Sequence, residues 1–299
     1  MNQEHSEAAA GRYSESVERI SLAELYHENS KQRRYDSGFG LRIMAMNNSP
    51  AMQQLFAGSY KTYAGAPTID LPAPERCNRH SLQETVESRR SVDRFGSNPL
   101  GISQLSYVLA LGNGITASTG HGRQRPLRAA PSAGALYPIE IYVAVSRVQG
   151  IAAGTYHYDV RGHRLEQMAD QDIAPELGRA SSYDHLFTTS GATVMLTGML
   201  GRTQIKYQER AYRFMVLEAG HTAENILLAA ASLDLAATPV GGFIDDEVAA
   251  ILDIDGVDEV VLELIPVGAA PHYADAVQPS TIEKEMLAML WPDRADESG

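Results

Sequence analysis

Apolar residues recur at helical spacing over residues 209–233, and this is the strongest periodic pattern in the chain. The positions that define it lie three or four residues apart: Tyr212, Met215, Ala219, Ala223, Ile226, Ala230 and Leu233. That spacing keeps one apolar face aligned over about seven helical turns. Val216, Leu217 and Leu227 extend the apolar surface around most of the circumference. The pattern therefore predicts a long central helix that is buried.

Shorter patterns between residues 81 and 268 predict the other elements of a folded core. Residues 81–91 and 98–116 have helical patterns. Strands are predicted by alternating or short apolar runs at 139–148, 193–200 and 260–268, and a hairpin is predicted over 154–168. Helices and strands mix without a strict βαβ alternation, which favours an α+β fold.

The chain before residue 81 has weaker patterns. Ser21, with Glu24 three positions later, is a capping-box pattern that predicts a short amphipathic helix over 20–34. Residues 36–80 are rich in Gly, Pro, Asn and Ser, and they predict an irregular segment packed on the core. We therefore divide the chain into a polar N-terminal extension, 1–80, and a core domain, 81–299.

Charge and composition exclude several classes of protein. A net charge of −12 argues against a general surface for nucleic acid or anionic membranes. No apolar run approaches the roughly 20 residues of a membrane span, and the polar N-terminus lacks the pattern of a secretory signal. Cys77 is the only cysteine, which excludes an internal disulfide and a Cys-x-x-Cys site. We expect a cytoplasmic protein that binds neither nucleic acid nor membranes.

The histidines indicate no metal site. None stands in a His-Glu-x-x-His motif or close to a cluster of carboxylates, and we expect His221, on the long helix, to be a core residue. A Walker loop for phosphates and a Gly-x-Ser-x-Gly elbow are also missing. Zinc hydrolysis, phosphoryl transfer and serine hydrolysis are therefore poor candidates.

One short stretch concentrates positive charge in this acidic chain. Its sequence SRRSVDRF contains Arg89, Arg90, Ser91 and Arg94. Guanidinium groups can donate two hydrogen bonds to one anion, so the stretch is suited to bind a phosphate group. An exposed basic helix end, which interacts favourably with its own dipole, has the same composition. The stretch alone leaves both interpretations open.

Two further stretches carry small residues that would let a flat ligand approach the backbone. The first precedes a predicted strand and contains Arg128, Pro131, Ser132, Ala133 and Gly134, and the second follows the long helix and contains Pro239, Val240, Gly241 and Gly242. Small or missing side chains expose backbone N–H groups to a ligand atom. Ordinary connections between elements have the same composition.

Lys206 and Tyr207 stand directly before the long helix and raise a geometric question. Consecutive side chains of a strand point to opposite faces, so there the two could not serve one site. In a loop or a helical turn they lie about 100° apart and can converge. The pair is either a surface pair at a helix start or an acid–base couple.

Taken in order, these stretches resemble the nitroreductase superfamily, and more narrowly its SagB-type azoline dehydrogenases, which form thiazoles and oxazoles. The resemblance runs from residue 81 to residue 268, and YHENSK at 26–31 is similar to the N-terminal signature of that branch. Arg-Arg-Ser is shared by most nitroreductases, whereas Lys-Tyr before the long helix is specific to azoline oxidases. The pair therefore decides the subfamily.

The resemblance implies a central mixed or antiparallel sheet flanked by helices, in an intertwined homodimer with FMN at the subunit interface. It also implies that Arg89, Arg90 and Ser91 contact the phosphate and ribityl chain, and that Ser132 and its neighbours reach the flavin from the partner subunit. By the same resemblance, Val240, Gly241 and Gly242 form the loop along flavin N5. Lys206 and Tyr207 would act in azoline oxidation.

The implied reaction converts a thiazoline or oxazoline, in a peptide, on a carrier or in a small molecule, to the aromatic azole. The substrate loses a proton from Cα and a hydride from the neighbouring ring carbon to FMN, which oxygen reoxidises. The base is either a Tyr207 phenolate, favoured by the adjacent ammonium, or a desolvated neutral Lys206. The sequence leaves that choice open.

The chain departs from the family pattern in two places. Residues 268–280 contain no lysine or arginine, where many nitroreductases have a basic residue for the phosphate. Gln208 and Ala211 stand where the Lys-Tyr motif of the family has glycines. Two alternative functions also stay open: an NAD(P)H-dependent nitro or quinone reductase, and a non-catalytic flavin-fold partner of a cyclodehydratase.

Overall fold

A seven-stranded antiparallel sheet forms the centre of the molecule, in a computed structural model that describes residues 21–34, 37–58, 60–118 and 126–271. The strands of the described residues are β1 (Thr68–Asp70), β2 (Leu100–Gly101), β3 (Ile115–Ser118), β4 (Pro126–Arg128), β5 (Ile139–Val145), β6 (Val148–Gln149), β7 (Gly154–Asp159), β8 (Arg164–Ala169), β9 (Ala192–Met199), β10 (Leu235–Ala237) and β11 (Glu259–Ala269). The central sheet has the order β1-β8-β7-β5-β9-β11-β10.

Helices cover both faces of this sheet. They are α1 (Leu22–Asn29), α2 (Ser37–Asn48), α3 (Pro50–Ala57), α4 (Leu82–Ser88), α5 (Ile102–Asn113), α6 (Ala174–Ser181), α7 (Asp184–Thr189), α8 (Leu200–Tyr207), α9 (Ala211–Ser232) and α10 (Asp245–Ile251). The strands, hairpin and helices predicted between residues 81 and 268 are confirmed, with ends that differ by a few residues. The predicted α+β class is confirmed as well.

Strand β5 shows why the sheet sequences are almost continuously apolar. All of its residues are buried. Ile141 and Val143 face the core that contains α5 and α9, whereas Tyr142 and Ala144 face the core formed with α6, α7 and α10. Because successive side chains of a strand alternate between faces, a strand covered on both sides needs apolar residues at nearly every position, and the buried Glu140 of β5 is paired with His157 and Arg202.

Helix α9 is buried on one side in a single chain. Met215, Ala219 and Ile226 belong to the core under the sheet. Val216 is 45% exposed and Leu217 is 52% exposed on the other side. The expectation that His221 is a core residue was wrong, because this side chain lies on the exposed side of the helix. The spacing predicted the helix correctly but could not tell which apolar side faces the sheet.

The N-terminal part of the chain is more regular than its composition predicted. The capping box of Ser21 and Glu24 is confirmed at the start of α1. The expectation of an irregular segment over 36–80 was wrong, since α2, α3 and β1 lie within it. Ser49 caps α3, and Pro50 occupies its first turn, a local start signal that composition alone obscures. Strand β1 pairs with β8 at the edge of the central sheet.

Candidate functional site

The basic stretch and the second glycine-containing loop come together in the fold and form a first group of candidate residues. Thr238 Oγ1 donates a hydrogen bond to the Val92 carbonyl oxygen and accepts one from the Val92 N–H, both at 2.9 Å. A cavity of about 810 Å³ lies between the two stretches and α7. Its lining residues include Ser91, Arg94, Pro239, Val240, Gly241 and Gly242.

The arginines of the first group differ in their partners. Arg89 is the C-terminal cap of α4 and is partly exposed. Arg90 Nη1 donates at 2.8 Å to the carbonyl oxygens of Glu87 and Arg89, so this guanidinium group stabilises the end of its own helix. Arg94 lies beside Asp93 at the cavity, with 3.5 Å between Nε and Oδ1. The helix-end interpretation is therefore correct for Arg90, and the phosphate interpretation of the stretch stays a prediction.

Gly241 and Gly242 have no structural need to be glycine within one chain. A Cβ atom added at either position would have no neighbour within 4 Å, and neither residue has a left-handed backbone. Val240 pairs its N–H and carbonyl oxygen with Leu264 at 2.8 and 3.0 Å. The N–H groups of the two glycines donate to none of the residues that the structure describes. The loop therefore leaves room and donors for a ligand at the cavity.

Lys206 and Tyr207 form a second group together with Gly134. They are the last two residues of α8, not the first residues of the long helix, and they converge. A Cβ atom built on Gly134 would lie 2.6 Å from the Tyr207 hydroxyl and 2.7 Å from Lys206 Nζ. Lys206 is 4% exposed, and its Nζ lies 5.4 Å from the centre of the Tyr207 ring. Two polar side-chain ends thus meet at one point beside a glycine.

The backbone around this pair adopts unusual conformations. Gly134 has φ 64°, and Ala135 and Tyr137 have φ 52° and 48°. Gln208, where the family pattern has a glycine, has φ 51° and ψ −132°. A side chain makes that conformation costly, by about 1–3 kcal/mol, so the glycine expected there has a clear backbone reason. The ring of Phe214 packs edge-on against Tyr207 at 4.9 Å and fixes its orientation.

The surroundings of Tyr207 change its acid–base chemistry. Burial raises the pKa of the Tyr207 phenol above its usual value, because the charged phenolate loses contact with water. The effect is opposite to the lowered value that an adjacent ammonium was expected to produce. At neutral pH the residue is therefore a phenol and a hydrogen-bond donor.

Arg128 has internal partners in this structure. The side chain is 7% exposed and lies between two aromatic rings, 5.3 Å from the centre of Tyr60 and 4.8 Å from that of Tyr137. Its Nη1 donates to the Ile139 carbonyl oxygen at 3.4 Å. The residue supports the start of β5 from inside the fold, and its predicted contact with a cofactor stays a prediction.

Three residues near the second group carried no signal in the sequence. Arg202 donates to the Tyr137 carbonyl oxygen at 3.0 Å and pairs with Glu140. The Tyr137 hydroxyl accepts from the Arg128 N–H at 3.1 Å. Glu218 is buried in α9, beside Ser132. A single charged or aromatic residue within an apolar stretch resembles many others, so no sequence pattern could have selected them.

The two groups are not brought together in one chain. The cavity between the first stretch and the Gly241–Gly242 loop is lined by no residue of 126–137 and by neither Lys206 nor Tyr207. The second group lies instead where α8 meets the segment before β5. A site that uses all the candidate residues would need both groups to meet across two chains.

Sequence similarity identifies the family to which this architecture belongs. The Nitroreductase family model matches residues 86–269. The chain belongs to the nitroreductase family. Membership of that family makes it an oxidoreductase with a flavin-binding fold.

Three curated relatives share this part of the chain. MJ1384 of Methanocaldococcus jannaschii, named as a nitroreductase, is 33% identical over 201 residues, which are 67% of this chain and 96% of that protein. The trifolitoxin-processing protein TfxB of Rhizobium leguminosarum bv. trifolii is 32% identical over 158 residues, 50% of this chain and 41% of TfxB. The microcin B17-processing protein McbC of Escherichia coli is 30% identical over 165 residues, 53% of this chain and 58% of McbC. The matches thus span less than two thirds of TfxB and McbC.

Solved structures share the fold over most of the chain. A Ralstonia eutropha structure named as a nitroreductase has a TM-score of 0.58 at 28% identity and covers 71% of this chain and 93% of its own. A chain of the E. coli microcin synthetase McbBCD complex, with truncated pro-MccB17 bound, has a TM-score of 0.53 at 20% identity and covers 86% and 100%. The nitroreductase-like fold is therefore confirmed.

Two further observations concern metals and membranes. The described residues contain no group of three or more His, Cys, Asp or Glu side chains that could hold a metal ion. Among those same residues, no helix combines the length and the apolar composition that a membrane crossing requires. The polar N-terminal tail and residues 272–280, which belong to the stretch without lysine or arginine, lie outside the described part of the chain.

Proposed function

We propose that this protein is an FMN-dependent azoline oxidase, which converts a thiazoline or oxazoline to the aromatic azole. The observation that carries the proposal is the convergence of Lys206 Nζ and the Tyr207 hydroxyl beside Gly134. A positioned proton acceptor is what the oxidation of an azoline requires, because Cα must lose a proton. The relatives named for trifolitoxin and microcin B17 processing support a heterocycle within a peptide as substrate.

The first group of residues fits the cofactor. Arg89 and Ser91 would hold the phosphate and ribityl chain, and the N–H groups of Gly241 and Gly242 would face the flavin ring, where open space replaces side chains. Bound FMN supplies a two-electron acceptor for the hydride of the substrate. The Gly96 N–H donates a hydrogen bond to the Ala269 carbonyl oxygen at 2.9 Å. This hydrogen bond holds the end of β11 beside the basic stretch.

Lys206 and Tyr207 would divide the proton chemistry between them. The raised pKa of Tyr207 keeps its phenol protonated at neutral pH, so it suits hydrogen bonding to a heteroatom of the azoline ring. Lys206, in its neutral form, would then take the proton from Cα. Phe214 keeps the phenol in place, and burial of the amine excludes competing water.

A homodimer would complete the site. Each chain would contribute the first group to one flavin and Ser132, Gly134, Lys206 and Tyr207 to the flavin of its partner. The exposed apolar side of α9, with Val216 and Leu217, supplies a surface for a second copy of the chain. A cyclodehydratase would be a further partner, since the McbBCD structure combines a chain of this fold with other proteins and a truncated precursor.

Single-turnover reduction of FMN without oxygen tests the proposal. A 2-aryl thiazoline-4-carboxylate should bleach the flavin of the wild-type protein, and mass spectrometry should find the product lighter by two hydrogen atoms. Lys206→Ala and Tyr207→Phe should stay yellow and bleach about 10²–10⁴-fold more slowly. Lys31→Ala, an exposed lysine just after the end of α1, is the matched control and should bleach at the wild-type rate.

The double variant separates a working pair from two independent residues. If the pair acts as a unit, Lys206→Ala with Tyr207→Phe should be little slower than the more damaged single variant. Wild-type bleaching in both single variants would contradict the azoline-oxidase proposal.

A second candidate function is an NAD(P)H-dependent nitro or quinone reductase. It is favoured by the relative MJ1384, which is named as a nitroreductase and matched over nearly its whole length. Such a reductase uses the flavin site but has no need of Lys206 and Tyr207. Rapid bleaching by NADH in the wild type and in both single variants, without bleaching by the thiazoline, would favour this function.

A further inference from the structure

Arg202 is a nearly buried arginine that joins the two parts of the chain which form the second group. It lies on α8, about one helical turn before Lys206, and its side chain is 10% exposed. Its Nη1 donates a hydrogen bond at 3.0 Å to the carbonyl oxygen of Tyr137, in the segment before β5. One guanidinium group thus connects the helix that carries Lys206 and Tyr207 to the segment that contains Gly134.

The other side of this guanidinium group is held by Glu140, a buried residue of β5. Arg202 Nη2 lies 2.5 Å from Glu140 Oε1, and His157 Nε2 lies 3.1 Å from Glu140 Oε2, so both carboxylate oxygens have partners. His157 is held in turn by Glu166, with 2.9 Å between Nδ1 and Oε2. All three partners of the arginine in this chain of contacts are buried. Because a planar guanidinium group has donors in fixed directions, the pairing with Glu140 also fixes the direction of the bond to Tyr137.

A second contact joins α8 to the same segment, at the start of the helix. The N–H of Met199, the residue that precedes α8, donates to the Pro138 carbonyl oxygen at 2.9 Å. Arg202 adds an attachment about one turn further along the helix, towards Lys206 and Tyr207. One attachment leaves a helix free to pivot, whereas two attachments fix its direction. The Arg202 bond therefore controls how the end of α8 lies against the segment.

We propose that Arg202 is a positioning residue: its hydrogen bond to the Tyr137 carbonyl oxygen holds Gly134 against the ends of Lys206 and Tyr207. The fit at this point is close, since a Cβ atom on Gly134 would lie 2.7 Å from Lys206 Nζ. A displacement of about 1 Å at a catalytic group can slow a reaction about 100-fold. The kinetic consequence rests on the proposed azoline oxidation, whereas the structural consequence does not.

Acetylation of Lys206 by acetic anhydride measures the structural consequence, with mass spectrometry of the peptides as the readout. The amine of Lys206 is 4% exposed in the wild-type fold and should react slowly. In Arg202→Met the segment is held less tightly, and Lys206 should react about tenfold faster, the factor for one lost hydrogen bond of a charged group. Lys31 is exposed and serves as the internal reference. Lys61, which Glu259 holds elsewhere in the fold, should react at the wild-type rate unless the whole chain has opened.

Arg164→Met is the matched control variant. Arg164 lies on β8 and pairs with the buried carboxylate of Asp159 at 2.9 Å, so its loss also leaves a buried carboxylate without its arginine. It is not among the residues that contact α8 or the segment before β5 in the hydrogen bonds given above. Both the labelling of Lys206 and the oxidation of the substrate should equal those of the wild type.

Steady-state kinetics with the 2-aryl thiazoline-4-carboxylate measure the functional consequence. Arg202→Met should lower kcat about 100-fold with little change in KM, because its hydrogen bonds go to the protein and set the geometry of the pair. Glu140→Gln keeps an oxygen that can accept from Arg202 but loses the charge. It should therefore lower kcat less than Arg202→Met does.

The double variant separates positioning from a simple need for charge balance. Arg202→Met alone leaves the Glu140 carboxylate buried without its partner, and adding Glu140→Gln removes that charge. The double variant should be more stable in urea than Arg202→Met, yet as slow in kcat and as reactive at Lys206. It also keeps the test decisive if Arg202→Met folds poorly. Recovery of wild-type kcat and labelling in the double variant would mean that Arg202 only balances the charge of Glu140, and would overturn the positioning role.

The labelling experiment also separates this inference from the proposed function. If the wild type oxidises no azoline, the proposed function fails, and the reactivity of Lys206 still decides the role of Arg202. If oxidation is normal, a wild-type kcat or wild-type labelling of Lys206 in Arg202→Met overturns the positioning role alone.

Discussion

Gly134 lies so close to Tyr207 that a methyl group on its Cα would stand 2.6 Å from the tyrosine hydroxyl. Real Cβ atoms do not approach polar atoms this closely, so the glycine is required by the pair as well as by its own backbone, which has φ 64°. The contact joins a loop before β5 to the end of α8. At this contact the fold brings the side-chain ends of two consecutive residues, Lys206 and Tyr207, together.

Gly134→Ala should therefore damage chemistry more than folding. The added methyl group must displace Lys206 or Tyr207, and we expect azoline-driven bleaching to slow about 100-fold or more, as for a misplaced catalytic group. Gly65→Ala is the matched control, since Gly65 has φ 85° with open space around it and so carries the backbone cost alone. Equal rates for the two variants would show that the contact with the pair is unimportant.

Thr238→Val should weaken flavin binding. The substitution keeps the shape of the side chain and removes both hydrogen bonds to Val92, which hold the basic stretch against the glycine loop. Losing them should raise the Kd for FMN about tenfold, as expected for about 1–2 kcal/mol. Fluorescence titration of the apoprotein with FMN measures the change, with Thr188→Val, on the exposed side of α7, as the control. An unchanged Kd would show that these two hydrogen bonds do not contribute to FMN binding.

Mixed dimers should recover activity if each site uses residues of two chains. Arg89→Ala removes a residue of the first group and Lys206→Ala one of the second, so each homodimer should be inactive. A mixed dimer would contain one site with both groups intact. After unfolding and refolding an equal mixture, we expect about a quarter of wild-type activity, because half the dimers are mixed and each has one working site.

The same mixture also tests whether each site is instead built from the residues of one chain. If all candidate residues of one site came from one chain, the mixed dimer would contain two damaged sites and activity would stay absent. Sedimentation of the FMN-loaded protein provides the control, since a stable loaded monomer would contradict the shared site.

Glu218 should make the stability of the protein depend on pH. Its pKa of about 7 in the folded chain exceeds its ordinary value of 4.5, so the folded state favours the neutral carboxyl. The stability this adds is present below about pH 4.5 and is lost as pH rises through about 7, up to about 3 kcal/mol in all. Relative to Glu218→Gln, the free energy of unfolding in urea should therefore fall over this range. If the difference in unfolding free energy between the two proteins stays constant with pH, the pKa of Glu218 is not raised in the folded state.

The local sequence was sufficient to predict those elements whose structure is determined by residues close together in the chain. The capping box at Ser21, the helix at 211–232 and the apolar strand at 139–145 follow from hydrogen bonds and side-chain periodicity within a few residues. The helices α6, α7, α8 and α10 were not predicted, because six to eight residues are too few for a clear period and none of these helices has the side-chain cap that marks the equally short α1 and α4. Helices α2 and α3 were hidden by a composition that suggested a loop.

The sequence by itself determined five of the seven strands of the central sheet, the long helix and the residue types available for chemistry: the basic stretch, the two small-residue loops and the Lys206–Tyr207 pair. Only the tertiary structure decided that Gly134 meets this pair, that Arg128 is internal, that His221 is exposed and that Glu218 is buried beside Ser132. The physical reason is that periodicity records which side chains share a face, whereas burial and proximity depend on what another part of the chain packs against that face. A glutamate on an amphipathic helix looks the same in sequence whether it meets water or a strained loop.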